Sequence, residues 1–121
     1  MEIVVNPKRR AAQILRRASA ILLERGWTQG ATLDPKSGSV DILGAIALAA
    51  GVRVRCLLDD NVLATIPRAI MPGALLAIEA LDAHLGQYPV AWNDAAGRQV
   101  EQVRQAAERV ADLLSAGEGF G

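Results

Sequence analysis

The chain has 121 residues, a formal net charge of zero, and a composition that is 51% hydrophobic but only 3% aromatic. That length accommodates a single core, and the apolar content lies far from the low-hydrophobicity, high-charge regime of disordered chains. One cysteine, Cys56, excludes an internal disulfide and a cysteine-based zinc site, and points to a reducing, cytoplasmic setting.

The N-terminal segment opens with "MEIVV", too short for a helix, and residues 1–6 read as an extended arm. Asn6 is a good N-cap and Pro7 a favoured first helical residue, so a helix is predicted to start there. Ala11, Ile14, Leu15, Ala18, Ile21 and Leu22 follow the spacing of one helical face, and Gly26 is placed to stop the helix. Arg16 and Arg17 interrupt what would have to be the apolar run of an export signal.

From Trp27 to Val40 no period is visible, and Gly30, Pro35 and Gly38 mark a long loop of the kind that often carries a site. Ser39 is a candidate cap for the second helix, with Asp41 placed to favour its dipole. "ILGAIALAAGV", from Ile42 to Val52, is apolar almost all round, which predicts a central helix. It is far shorter than the roughly 18 residues of a membrane span, so no membrane association is expected.

"VRVRCLL" alternates before turning apolar, leaving room for a short two-stranded ribbon between residues 2–5 and 52–57. Asp59, Asp60 and Asn61 make a turn signal, and Pro67 and Pro72 break the helical pattern that follows into a short turn and a helix from about Pro72 to Leu85. Leu75, Ile78, Leu81 and Leu85 are predicted to face inward, with Gly86 as the cap. In the last helix, Val100, Val103, Ala107, Val110 and Leu114 step by three and four, with Arg104 and Glu108 spaced to pair on the outside. Residues 116–121 are expected to fray. The fold class is therefore mainly α: residues 1–121 as one compact bundle of about four helices.

Two regions carry candidate function. Residues 8–25 hold six basic side chains against one acid, Glu24, and the face bearing Lys8, Arg9, Arg16 and Arg17 suits an acidic protein surface or a phosphate backbone. The second region is "VAWNDAAGR". In a structural reading Asn93 or Asp94 bonds orphan backbone N–H groups ahead of the last helix, Trp92 packs beside Val100 or Val103, and Arg98 pairs with Asp94. In a functional reading Trp27, Gln29, Trp92, Asn93, Asp94 and Arg98 wall a small-molecule pocket between two loops. His84 stands alone, and neither a P-loop nor a dinucleotide, zincin or nucleophile-elbow motif is present. The sequence assigns no catalytic residue, metal ligand or cofactor.

"RGWTQGA", "GAIALAAG" and "WNDAAGR" together resemble a family of small uncharacterised proteins from high-GC bacteria and their phages, over roughly residues 10–115. In that family a Thr usually follows the arginine and forms a capping box; this chain has Gln99 there. The resemblance implies a helical fold without a function, and raises an accessory role for a phage or mobile element. The expectation is a non-enzymatic protein-interaction or regulatory module with an unidentified protein partner. Homodimerisation, nucleic-acid binding through the first helix, and a small-molecule site or minor enzyme at the tryptophan loops stay open as alternatives.

Overall fold

The computed structural model describes residues 6–54 and 72–118, which form five helices: α1 (Pro7–Arg25), α2 (Ile42–Ala49), α3 (Pro72–Leu85), α4 (Pro89–Asn93) and α5 (Val100–Glu118). The arm, most of the proposed ribbon, Cys56, the Asp59–Asp60 turn and the turn before Pro72 lie outside the described residues. In the described part of that ribbon, residues 52–54 form no strand. Helix α5 runs through Glu118, so residues 116–118 are helical, not part of a tail.

Helix α1 is the centre, packing against α2, α3 and α5. It starts where the sequence predicts: the Asn6 side chain accepts from the backbone N–H of Lys8 at 3.0 Å and Arg9 at 3.4 Å. It ends at Gly26, whose φ of +93° suits glycine alone. All six predicted inward positions are buried, together with Ala12 and Ser19. Alanines recur at these contacts, with Ala11, Ala12 and Ala18 on α1, Ala74 and Ala77 on α3, and Ala106, Ala107 and Ala111 on α5. Small side chains let helix axes approach closely, so a core this poor in aromatics still fills by dispersion contact.

That close approach corrects the predicted face of α3 only in part, since Leu81 is buried and Ile78 and Leu85 pack against the core. Ala74, Ala77 and Leu81 are its buried apolar positions, whereas Leu75, Ile78 and Leu85 are only half-buried. The short residues turn toward α1 because they permit the tighter contact. Helix α2 is largely buried, with Ile42, Ala45, Ile46 and Ala47 inside, but it is not central as its composition predicts, since Leu43, Leu48 and Ala49 are only half-buried.

Helices α1 and α5 run antiparallel and share a polar seam. Ser19 is 2% exposed; its hydroxyl donates to Glu108 at 3.2 Å and accepts from Arg104 Nε at 3.1 Å. Arg104 is therefore drawn across the seam and pairs with Glu101 at 2.7 Å instead of Glu108, as the four-residue spacing had suggested. Gln102 reaches back to accept from the Gln99 N–H at 2.9 Å, so half of a capping box forms without the Thr.

Candidate functional site

The chain between α1 and α2 is held as a compact strap. Val40, fully buried, exchanges bonds with the opposite limb: its N–H donates to Gly26 O at 3.1 Å, and its carbonyl accepts from Thr28 N–H at 3.0 Å. A tight turn over Asp34–Gly38 closes the strap. Its Asp34 carboxylate accepts from Lys36 N–H at 2.9 Å, and that bond chiefly holds the carboxyl below its ordinary pKa. The second helix is capped by Asp41, not Ser39: Asp41 accepts from Gly44 N–H at 2.7 Å, while Ser39 donates back to the Arg25 carbonyl at 3.4 Å.

Helix α4 brings the "WND" stretch against this strap. It is a single turn started by Pro89 with no side-chain cap, and its last residue, Asn93, is fully buried. A buried amide is tolerated only when its donors and acceptors are used, and here they are. Asn93 Oδ1 accepts from the Trp27 indole N–H at 2.7 Å and from Ile42 N–H at 3.1 Å. Asn93 Nδ2 donates to Thr28 O at 3.2 Å and to Asp94 Oδ1 at 2.9 Å. One side chain thus joins the strap, the first residue of α2 and the turn after α4.

The neighbouring candidates extend this junction. Gln29 Nε2 donates to the carbonyls of Asn93 at 2.9 Å and Ala95 at 3.0 Å, and Gly30 N–H donates to Asp94 Oδ1 at 3.0 Å. Arg98 donates through Nε to the Trp92 carbonyl at 3.0 Å and stacks 3.9 Å above the centre of the Trp92 ring. That stack replaces the expected pairing of Arg98 with Asp94 and is worth about 0.5–1 kcal/mol in a partly exposed setting. All six residues singled out from the sequence therefore gather at one place, and the polar groups described are bonded to the chain itself.

Asp41 belongs to the same junction and was not singled out as a site residue. It is 1% exposed, its own N–H donates to Thr32 O at 3.1 Å, and the residue after it is bonded to Asn93. Burial, reinforced by the nearby Asp94 charge and opposed by the Gly44 N–H, pushes its carboxyl up to about 6 from an ordinary 3.8. The available signal was the spacing Asp41-x-x-Gly44, with a capping residue three positions before a glycine that lets the strap come close.

The basic face divides into two parts. Arg16 bonds Asp112 and Ser115 on α5, both at 3.1 Å, and Arg17 makes a two-pronged pair with Glu24 at 2.9 and 3.2 Å. Lys8, Arg9 and Arg10 are exposed in the first turn of α1, which contains no acid. A shallow groove of about 250 Å³, floored by Ile21, Leu48 and Ala49, runs beside Arg17 and Arg25. Among the described residues no group of three or more His, Cys, Asp or Glu is placed to hold a metal ion, and no helix is long and apolar enough to cross a membrane.

Fold and site together define a small all-helical protein whose loops meet at a polar junction. Within that class the chain belongs to DUF6197, a family of unknown function, over residues 6–113. No curated protein and no solved structure matches it.

Proposed function

We propose that this chain is a non-enzymatic protein-interaction or regulatory accessory module of the cytoplasm, associated with a phage or mobile element, that offers the start of α1 to an acidic protein surface. The observation that carries this reading is a conflict between local stability and charge placement. Lys8 and Arg10 are exposed at the helix end where the macrodipole is positive, with no acid in the first turn to offset them. Each such cation opposes the dipole by about 0.3–1 kcal/mol at low ionic strength. The first turn of α3 also lacks an acid, and its Gly73 lies under the Arg10 stem, where a Cβ would collide with it. Two positive helix ends and the Lys8 and Arg10 cations therefore converge. A fold selected for stability alone places carboxylates there; an acidic partner supplies them from outside.

Arg16 and Arg17 contribute less, because both are already engaged with the chain's own acids. Trp27, Gln29, Trp92, Asn93, Asp94 and Arg98 we assign to framing the loops, since their bonds run to the chain's own backbone and side chains. The test is a pull-down from nuclease-treated source-cell lysate with wild type and a Lys8→Glu variant. The reading expects a protein retained by the wild type and lost by the variant, while the variant melts at the same or a higher temperature because its new acid complements the dipole. Retention by both proteins, or binding that vanishes with nuclease, overturns it.

A further inference from the structure

The junction encloses a carboxylate with no cation bonded to it. Asp41 is 1% exposed and caps α2 through Gly44 N–H. A second carboxylate, Asp94, is bonded to the Asn93 amide that also holds Ile42 N–H. Helices α2 and α4 contain no ionisable residue. Around the junction, the strap contributes Asp34 and the exposed Lys36, both in its own turn. Arg25, at the end of α1, is turned to Gly38 O, and Arg98 is stacked on Trp92. On α3, Glu79, Asp82 and His84 are exposed. Among the described groups, then, none is bonded to Asp41 as a counter-ion. Ionising it leaves a buried carboxylate without a counter-ion, near the second, exposed carboxylate of Asp94.

We propose that the junction of the strap, α2 and the Asn93–Asp94 turn is a proton-operated clasp, closed more firmly when Asp41 is protonated and loosened when it ionises. A protonated Asp41 still accepts from Gly44 N–H through its carbonyl oxygen, so the cap survives while the repulsion toward Asp94 disappears. The raised carboxyl value, about 6, places this change between mildly acidic and neutral pH. The linkage sign follows from the direction of the shift. The folded junction binds the proton more tightly than the opened one, so the stabilisation is complete below the ordinary 3.8 and is lost as pH rises through about 6. The clasp would let pH set how freely the tryptophan loops open, whatever partner the protein meets.

Two NMR measurements on the full chain test this: the carboxyl carbon titration of Asp41, and the exchange protection of the Trp27 indole N–H, which is bonded to Asn93. Asp41 is expected to titrate near 6. Protection relative to the intrinsic rate should rise about tenfold from pH 7.5 to pH 5, the factor that linkage gives for a group moving between those two values on local opening. In Asp41→Asn, which keeps the capping oxygen, the profile should be flat. In Asp94→Asn its midpoint should fall. Titration of Asp41 with the exposed acids near 4, or an unchanged profile in Asp41→Asn, overturns the proposal. If Asp41→Asn does not fold, the wild-type carboxyl titration alone decides.

Discussion

Removing the Asn93 side chain should cost more than any other single truncation of a polar residue in the described structure. In Asn93→Ala, the Ile42 N–H and the Trp27 indole lose their shared acceptor, and Thr28 O loses its donor. Ile42 is 1% exposed, so its N–H has no ready access to water. A buried group left without a partner costs about 1–3 kcal/mol. Ile42 N–H incurs that cost in full, and the half-buried indole and carbonyl incur part of it. Asp94 is exposed and recovers its bond from solvent at little cost. The expected loss is about 3–5 kcal/mol, a large share of the 5–15 kcal/mol that stabilises a typical domain. Urea unfolding followed by circular dichroism measures it, with tryptophan fluorescence reporting the junction separately. Asn93→Asp should also be destabilised, because it loses the Nδ2 donor and places a third carboxylate beside Asp41 and Asp94. A loss below about 1 kcal/mol in Asn93→Ala would mean that water replaces the amide, and the hub reasoning would be refuted.

Gly44→Ala sets two rules against each other. Helix propensity favours the alanine by up to about 1 kcal/mol, but the added Cβ would collide with the Thr32 carbonyl and lie 3.0 Å from Val40 Cβ; the net result should be a loss of about 1–3 kcal/mol by thermal melting, and a stabilised variant would show that the strap yields. Ser19→Ala should cost about 1–2 kcal/mol, since Arg104 Nε and Glu108 lose a buried hydroxyl partner; a neutral result would remove the seam from the account of helix pairing. For Asp41→Asn, stability between pH 7 and pH 4 should rise less on acidification than in wild type. The difference is at most about 3 kcal/mol, the free-energy equivalent of moving one carboxyl from 3.8 to about 6; parallel stability curves from urea unfolding at several pH values would contradict it.

What the sequence made legible is what short-range chemistry determines. Asn6–Pro7 and Gly26 bound α1 because capping and glycine's positive φ act within a few residues of the chain. The seam of α5 is visible because its period repeats for several turns. Helix α4 is not, since five residues hold no period and Pro89 is its single local mark. The Asn93 hub lies at the other extreme. Its partners Trp27 and Thr28 stand 66 and 65 positions away, and no spacing rule connects an amide to an indole over that distance. Rare aromatics and polar residues in loops singled out the participants, but only the packing of α4 against the strap chose the pairs. Ser39 and Asp41 are both capping residues, and the strap decides between them by turning Ser39 back to Arg25.

The same contrast gives the first turn of α1 its weight. Where local rules and tertiary structure agree, as at Asn6 or Gly26, the residue is explained by folding. Disagreement in the interior is settled by a nearby partner: Ser19 is a polar residue on a buried face, and Glu108 and Arg104 account for it. Lys8 opposes its helix dipole on the surface, where burial demands nothing, and the neighbouring start of α3 adds to the positive potential without adding an acid. A surface placement that lowers local stability, with no acid in its own turn to offset it, is best understood through something outside the chain. Raising the ionic strength separates the two effects. It screens the dipole penalty and so should raise stability slightly, while weakening capture of an acidic partner.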